Sequence, residues 1–334
     1  GLDLGDDSVF IVTGAAGSIV SAITADLAKA AAGTFYLLDL TPEPDPQNPD
    51  LQRFSSDKDG LKRDIFARLK ASGERATPKL VDRELAGLER QQSALAGIEA
   101  VRAAGGTAEY RSVNLMDGDA VRAVVEEIRE KHGRVDVLLH AAGLEISRFL
   151  PDKEPSEFDL VFDVKADGWF HLLSAMGDMP LAATVSFSSI AGRFGNGGQT
   201  DYSSANDLLC KTSSSFRGQR QQTRGVALDW TAWGGIGMAA RGSIPKMMEL
   251  ARIDMLPPEA GIPMVRRELT FAPVGAEVVV AQGLGIMLEE FDATGGLDAE
   301  TVNTPAADQT PSRPMAAHVV GMGLYSGLTV ETEL

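Results

Sequence analysis

The sequence predicts an α/β fold built on a doubly wound parallel sheet, with a helical insertion after the second strand. Three observations support this prediction. Short apolar runs alternate with segments of helix length through most of the first 230 residues, as in strands joined by helices. The runs are apolar at successive positions, which is typical of strands buried on both faces. A glycine turn links the first run to the first helical segment.

The first βαβ unit occupies the first 39 residues. Residues 8–13 form an apolar strand, residues 14–19 the glycine turn, and residues 20–29 a helix. Small residues separate this helix from a second apolar run at residues 34–39. The pattern indicates two neighbouring parallel strands joined by one helix.

The segment at about residues 41–84 interrupts the alternation and is interpreted as an insertion. Four prolines within residues 41–50 predict an exposed, extended loop. Charged, helix-permissive residues then run from about 60 to 104, with interruptions near Gly73 and Pro78. This composition predicts two helices on the surface, suited to contacts with neighbouring domains or a carrier protein.

Regular alternation resumes after the insertion. Further strands are predicted at residues 108–113, 135–140, 183–188 and 226–230, and helices at 120–131, 158–176 and about 202–216. Residues 1–291 are therefore interpreted as one domain.

The end of the chain has a different composition. Residues 292–314 are rich in Pro, Gly and Thr and are interpreted as a linker. Two strands without partners are predicted at 318–323 and 328–332, and unpaired strands seek partners. They could pack as an edge hairpin against the preceding domain or pair with another copy of the chain, so a homodimer is compatible with the sequence.

Charge and cysteine content exclude several classes of protein. Lys and Arg total 31 and Asp and Glu total 47, so the net charge is −16 and nucleic acid is not an expected partner. The one cysteine, Cys210, excludes an intrachain disulfide and a cysteine-rich zinc site. The four histidines are scattered, so no metal site is expected.

The chain has no sequence signal for a membrane. No run approaches the ~18 apolar residues of a spanning helix. The first residues are acidic and lack the apolar region of a signal peptide, which favours a cytoplasmic location. There is no initiator Met, so the sequence is interpreted as a piece of a longer protein.

The glycine turn fits a dinucleotide phosphate site. Gly14 permits a tight turn, Gly17 allows the backbone to approach a pyrophosphate, and the helix N-terminus supplies free N–H groups. Val20 occupies the position of the third glycine of the dinucleotide fingerprint. A merely tight strand–helix turn is the alternative interpretation.

Asp39, at the end of the second strand, is a candidate for binding an adenosine ribose. A carboxylate there can accept hydrogen bonds from the ribose diol and would repel a 2′-phosphate. No Arg or Lys follows directly, which favours NADH, although Arg53 or Lys58 of the insertion could fold back toward a 2′-phosphate. An exposed loop or cap carboxylate is the alternative.

The strongest group of candidate residues lies downstream. Ser189 ends a predicted strand, and Tyr202 follows it by thirteen positions across a glycine-rich loop. Asn206 lies one turn after Tyr202 on the same helix face. Carboxyl ends of strands are where open α/β sheets place their sites.

These motifs resemble the short-chain dehydrogenase/reductase family, and within it the ketoreductase domains of polyketide and fatty-acid megasynthases, which have a Rossmann-like fold. Ordinary members carry a Lys four residues after the Tyr, where this chain has Asn206, and an Asn where it has Lys165. That exchange is typical of megasynthase ketoreductases. The resemblance also rests on three further stretches, Thr13-Gly14, His140-Ala-Ala-Gly143 and Asp229-Trp-Thr-Ala-Trp233-Gly-Gly-Ile-Gly-Met238.

The resemblance implies a role for each of four catalytic residues. Tyr202 would donate a proton to the ketone oxygen, and Lys165 would lower the phenol pKa and hold the nicotinamide ribose. Ser189 would hydrogen-bond the carbonyl oxygen. Asn206 would position a water or the lysine in a proton relay.

The resemblance further implies the binding residues. Cofactor contacts are expected at Thr13, Gly14, Ala16, Gly17, Ser18, Ile19, Asp39, Asn114, Leu115, Ala141, Ala142, Gly143 and Lys165. Substrate contacts are expected at Phe194, Gln199, Gly234 and Met238. Asn114 could equally cap the next helix, and residues 238–255 are interpreted either as a lid over the substrate or as a packed helix pair.

The function implied is NAD(P)H-dependent reduction of a 3-oxoacyl thioester, carried by an acyl carrier protein, to the 3-hydroxyacyl thioester. The family points to NADPH, whereas Asp39 favours NADH. Two alternatives stay open: a free-standing short-chain dehydrogenase for an alcohol or a 3-hydroxyacyl thioester, and a catalytically silent structural domain. Residues 315–334 resemble the start of a hot-dog dehydratase domain, which implies neighbouring synthase domains as partners.

Overall fold

The computed structural model describes residues 1–73, 76–238, 242, 244–272, 275–289, 318–323 and 327–331. The chain divides into two compact units, Gly1–Leu284 and Gly285–Leu334. No helix in these ranges is long and apolar enough to cross a membrane.

The first unit alternates strands and helices. Its strands are β1 (Val9–Thr13), β2 (Thr34–Asp39), β3 (Thr107–Ser112), β4 (Val135–His140), β5 (Leu181–Ser189), β6 (Arg224–Trp230) and β7 (Glu277–Val280). Its helices are α1 (Ser18–Ala31), α2 (Pro49–Phe54), α3 (Lys58–Ala71), α4 (Pro78–Ala103), α5 (Gly118–His132), α6 (Pro155–Met176), α7 (Ile190–Phe194), α8 (Thr200–Gln219), α9 (Ile244–Leu250), α10 (Pro258–Gly261) and α11 (Met264–Thr270), with a 3₁₀ turn at Leu150–Asp152.

The strands form one parallel sheet in the order β3-β2-β1-β4-β5-β6-β7. The chain moves outward from β1 to β3 and then returns to place β4 on the other side of β1. The carboxyl ends of β1 and β4 therefore flank the switch point where such sheets bind ligands. The predicted doubly wound sheet is confirmed, while β7, a short edge strand, was not predicted.

Both faces of the sheet are buried, which explains the uninterrupted apolar runs. Phe10 and Val12 of β1 join the layer that packs with α1 and α4, and Val9 and Ile11 join the layer beneath α5 and α6. Phe10 stacks on Phe35 of β2 with ring centroids 4.2 Å apart. Two-sided burial removes the need for polar alternation along the strand.

The insertion has a small core of its own. Leu61 and Ile65 of α3 meet Val81 and Leu85 of α4. The two predicted helices and the break between them are confirmed. The predicted extended loop at 41–50 is partly wrong, because the Asn48 side chain accepts a hydrogen bond from the Asp50 N–H and starts α2. Helix α4 then continues out of the insertion and packs against α1.

The second unit contains α12 (Ile286–Glu289), β8 (His318–Gly323) and β9 (Gly327–Glu331). Strands β8 and β9 pair with each other in antiparallel orientation. The two predicted strands are confirmed, but the expectation that they lack partners is wrong. The predicted linker at 292–314 lies outside the described residues.

Deletion of residues 305–334 should leave the first unit folded, because its two core layers are complete without them. We expect the Tm at fixed protein concentration to change by less than about 2 °C. The core substitution Leu138→Ala, which removes a fully buried side chain, serves as the control that must lower Tm clearly. A large fall in Tm on deletion would mean that the tail belongs to the first unit.

Candidate active site

Four of the strands that end in a polar residue bring the predicted site residues to the carboxyl edge of the sheet. Thr13 ends β1, Asp39 ends β2, His140 ends β4 and Ser189 ends β5. In a parallel sheet these ends share one edge, so residues far apart in sequence come together.

The glycine turn brings β1 against the segment that follows β4. Gly14 has φ of +70°, and a Cβ there would lie 2.8 Å from the Ala141 carbonyl oxygen. Gly17 precedes the first turn of α1 and has no side chain to cap it, so the first N–H groups of α1 stay available to an anion. A Cβ on Gly17 would also crowd the Gly14 carbonyl, 3.1 Å away. The turn therefore fits a pyrophosphate.

The departure from the glycine fingerprint at Val20 has a packing explanation. Val20 is buried in the core layer shared by α1 and α4. The Ser18 hydroxyl, at the start of α1, accepts a hydrogen bond from the Gly237 N–H at 3.1 Å. The segment after β6 thus closes over the same helix N-terminus.

The cationic partner of Asp39 comes from α4. Arg90 Nη2 lies 2.7 Å and 2.9 Å from the two carboxylate oxygens, and Arg90 Nε donates to the Thr41 hydroxyl at 3.0 Å. The backbone N–H groups of Ala16 and Thr41 also donate to this carboxylate. Burial alone would raise the pKa of Asp39, but the Arg90 charge and these hydrogen bonds lower it overall. The expectation that no cation lies near Asp39 is therefore wrong.

A chain of hydrogen bonds joins β1 to the candidate catalytic residue Lys165 through His140. His140 is fully buried, which lowers its pKa to about 3 and keeps the ring neutral. Its Nε2 lies 3.1 Å from the Lys165 carbonyl oxygen, so Nε2 carries the proton and Nδ1 accepts from the Thr13 hydroxyl at 3.0 Å. His140 therefore positions the backbone of Lys165.

Thr13 also orders the segment after β4. Its hydroxyl oxygen accepts hydrogen bonds from the N–H groups of Ala141 and Ala142, each at 3.2 Å. This leaves Gly143 against the Lys165 side chain, where a Cβ would lie 2.7 Å from Cε. Only glycine fits that position without moving the lysine.

Lys165 is buried beside Tyr202. Its side chain is on α6, and Nζ donates to the Phe187 carbonyl oxygen at 2.7 Å and lies 5.8 Å from the centroid of the Tyr202 ring. Burial lowers the pKa of Lys165 to about 8, with a smaller opposing effect from Cys210. The amine is therefore largely protonated at neutral pH.

Ser189 caps α7, and α7 packs very close to α8. This packing holds Ser189 near the residues of α8. A Cβ on Gly192 would lie 2.8 Å from Asn206 Cβ, so glycine is required at this crossing. The Ser189 hydroxyl caps α7 by accepting from the Ala191 N–H at 3.1 Å. Its proton stays available for donation to another oxygen.

Tyr202 and Asn206 lie one turn apart near the start of α8. The Asn206 amide donates to the Tyr202 carbonyl oxygen at 2.7 Å, and Asn206 Oδ1 is buried without a partner among the described residues. Burial raises the pKa of Tyr202 overall; Ser189 and Asn206 lower it, and Glu145 raises it further. Burial therefore has the largest effect on the phenol pKa, whereas the sequence predicted that Lys165 would determine it.

The remaining predicted cofactor residues vary in position. Asn114 is exposed, and its Oδ1 accepts from the Met116 N–H, while Asp117 caps α5. The alternative that Asn114 caps α5 is therefore wrong: Asp117 is the cap, and Asn114 forms the turn that precedes it. Leu115 is buried in the core, and its carbonyl oxygen lies 2.8 Å from His171 Nδ1.

The predicted substrate residues lie in different segments of the first unit. Gln199 precedes α8, and its Nε2 donates to the Ser147 hydroxyl at 3.2 Å. Phe194 ends α7 and is half-buried, the Gly234 N–H donates to the Leu256 carbonyl oxygen, and Met238 is exposed. The predicted lid at 238–255 contains α9, and part of it lies outside the described residues.

Sequence reasoning missed two features of the site. Arg90 is 51 positions from Asp39, so no local pattern links them. Lys153 and Asp201 form a buried ion pair next to Tyr202. The sequence signal for that pair is an acidic residue directly before Tyr202, and it can be interpreted only when the structure shows that Lys153 lies beside it.

Comparison with known proteins places this arrangement in a family. The KR-domain family matches residues 8–235. The chain belongs to this family. This KR domain is 28% identical over 280 residues to one subunit of the polyunsaturated fatty acid synthase of Thraustochytrium sp., covering 82% of the chain and 10% of that protein. It is also 28% identical over 339 residues to polyketide synthase ThaG of Burkholderia thailandensis, covering 97% of the chain and 5% of that protein.

Solved structures share the fold. A ketoreductase domain from the bacillaene assembly line gives a TM-score of 0.63 at 22% identity, covering 86% of this chain and 59% of that one. A short-chain dehydrogenase from Mycobacterium paratuberculosis bound to NAD gives 0.58 at 17% identity, covering 84% of this chain and 98% of that one. The predicted ketoreductase resemblance is confirmed, and the family binds nicotinamide cofactors. The KR domain spans a tenth or less of the synthases it matches.

A buried carboxyl contacts α8 through Cys210. Asp229 of β6 is fully buried, and the Cys210 thiol of α8 donates to it at 3.3 Å. Burial raises the pKa of Asp229 to about 7, and the charge of Glu277 adds to the rise while Ser188 and Cys210 oppose it. Because the folded pKa is raised, the stability that Asp229 contributes is full below pH ~4 and is lost as the pH rises through about 7.

The substitution Asp229→Asn should therefore flatten the pH dependence of stability. At pH 8 we expect the variant to gain on the order of 1–2 kcal/mol over the wild type, because no carboxylate is left in the core. Denaturant unfolding at pH 5 and pH 8 measures this. The exposed carboxyl variant Asp178→Asn should follow the wild-type curve, and an unchanged pH profile in Asp229→Asn would contradict the argument.

Proposed function

We propose that this KR domain reduces a 3-oxoacyl thioester to the 3-hydroxyacyl thioester with NADPH. The observation that carries the proposal is the meeting of four side chains at the carboxyl edge of the sheet, around the glycine turn that fits a pyrophosphate. The four side chains are those of Lys165, Ser189, Tyr202 and Asn206.

Each of these residues has chemistry suited to ketone reduction. When bound, the nicotinamide would supply the hydride. The Ser189 hydroxyl, which already accepts from Ala191, can donate to the ketone oxygen and share its developing negative charge. Tyr202 then gives its phenol proton to that oxygen.

The charge left on Tyr202 is balanced by Lys165. A protonated amine 5.8 Å from the ring centroid favours the phenolate by Coulomb attraction, most strongly in this buried setting. The buried Asn206 Oδ1 can accept a hydrogen bond from a water molecule. Through that water a proton can return to the Tyr202 phenolate, which restores the phenol for the next reaction.

The substitution Tyr202→Phe should remove the proton donor and little else. We expect kcat for a soluble 3-oxoacyl thioester to fall by about 10²–10⁴, while the Kd of the cofactor changes less than about twofold. Cofactor oxidation and fluorescence titration measure the two quantities. Tyr36→Phe, which removes a buried phenol oxygen bonded to His132, is the matched control. Full activity in Tyr202→Phe would disprove the assignment, and an inactive wild type would favour the silent structural alternative.

NADPH rather than NADH is supported by Arg90. The Asp39 carboxylate already accepts from Ala16, Thr41 and Arg90, so its oxygens are occupied and its charge is balanced. The side chain of Arg90 is 47% exposed while that of Asp39 is 2% exposed, so the guanidinium is the group that faces an adenosine ribose. A guanidinium binds phosphate through charge-assisted hydrogen bonds.

The proposed cofactor preference is tested with two small fragments of the cofactor. We expect Arg90→Ala to weaken binding of adenosine 2′,5′-bisphosphate by about tenfold or more, while the Kd of AMP, which lacks the 2′-phosphate, changes less than about twofold. Calorimetry measures both. Arg53→Ala, whose guanidinium is held by Asp57 and Asp64, is the control. Equal effects of Arg90→Ala on both fragments would refute the role.

The partners follow from the same proposal. The relatives named above belong to a polyunsaturated fatty acid synthase and a polyketide synthase, and both are many times longer than this chain. We infer that the substrate reaches this KR domain on an acyl carrier protein and that a dehydratase domain follows it. A homodimer stays a prediction.

A further inference from the structure

A buried ion pair lies directly beside the catalytic tyrosine. Lys153 Nζ is 2.5 Å from Asp201 Oδ2, and the two side chains are 1% and 0% exposed. Lys153 also donates to the Ile146 carbonyl oxygen at 2.6 Å. The other oxygen of Asp201 accepts from the Tyr202 N–H at 2.9 Å.

The pair joins the segment after β4 to the start of α8. Lys153 and Ile146 belong to the segment between β4 and α6, called here the front segment (residues 144–153), and Asp201 belongs to the first turn of α8. Two further hydrogen bonds follow the same seam. The Arg148 N–H donates to the Gly198 carbonyl oxygen at 2.8 Å, and Gln199 donates to Ser147.

Stability alone is a poor explanation for the pair. Removing two charges from water is costly, and apolar residues of similar volume often fill such a place without loss of stability. A buried ion pair does fix geometry, because each charge tolerates only one arrangement of its partner. The Lys153 amine bonds both the Asp201 carboxylate and the Ile146 carbonyl oxygen, so it fixes the distance between the front segment and α8.

The front segment lies near the proposed proton donor. Glu145, next to Ile146, is close enough to Tyr202 to raise the phenol pKa. Gln199, one residue beyond Gly198, precedes the helix that carries Tyr202. A ketone bound beside Tyr202 would lie between the front segment and the start of α8. The distance between these two segments would then limit where its two substituents can lie.

We propose that Lys153 and Asp201 are a positioning pair that sets which face of the substrate carbonyl is presented for reduction. This inference rests on the proposed function, in which Tyr202 is the proton donor. The pair touches neither substrate nor cofactor and acts by holding Ile146 and the first turn of α8 in register.

The test compares Lys153→Met, Asp201→Asn and the double variant. Lys153→Met leaves a buried carboxylate without its partner, so we expect a clear loss of Tm. The double variant removes both charges and should recover most of that loss. The measurements are Tm, the Kd of NADPH, and kcat, KM and the ratio of the two C3 epimers for a 3-oxoacyl N-acetylcysteamine thioester.

In the recovered double variant we expect the epimer ratio to shift by at least fivefold and KM to rise about tenfold, with the Kd of NADPH within twofold of the wild type. Arg148→Met is the matched control, since it breaks an exposed ion pair with Glu157 on the same segment and keeps the backbone bond to Gly198. It should leave the epimer ratio unchanged.

Two results overturn the inference and are distinguishable. A double variant with a wild-type Tm, KM and epimer ratio shows that the pair only fills space. A wild-type protein that turns over no 3-oxoacyl thioester with either cofactor overturns the proposed function, and this inference with it.

Discussion

The site of this KR domain depends on a constraint of a sheet covered on both faces: a polar side chain within a strand, such as Asp229, needs a buried partner, whereas one at the end of a strand can be directed to a ligand. Thr13, Asp39, His140 and Ser189 are each the last residue of a strand. The apolar layers on either side of the sheet exclude water from these ends. Polar groups there therefore need partners within the protein: Thr13 and His140 bond each other, Asp39 bonds Arg90, and Ser189 accepts from a backbone N–H.

Burial then decides how those groups behave. It keeps His140 neutral, so that the ring can donate to Lys165 and accept from Thr13 at the same time. It brings the pKa of Lys165 down to about 8, close to neutrality, while it raises that of Tyr202. The shifts in the amine and the phenol have opposite signs and move their pKa values apart, so at neutral pH the phenol keeps the proton that it is proposed to donate.

The insertion contributes to the site through one long helix. The amino-terminal part of α4 packs in the small core formed by Leu61 and Ile65, and its later turns pack on α1. Between these two contacts α4 carries Arg90 to Asp39. The helix that continues out of this insertion thus supplies the cation beside Asp39.

The sequence by itself determined the parallel sheet, which is encoded locally, and its resemblance to the ketoreductases identified four candidate catalytic side chains. Apolar runs identify the strands, and the spacing of Ser189 and Tyr202 follows from one strand, one loop and one helix. Only the tertiary structure paired Arg90 with Asp39 and Lys153 with Asp201, since contacts between distant positions leave no periodicity. It also decided the pKa values, because burial is a property of the packed chain and not of its sequence pattern.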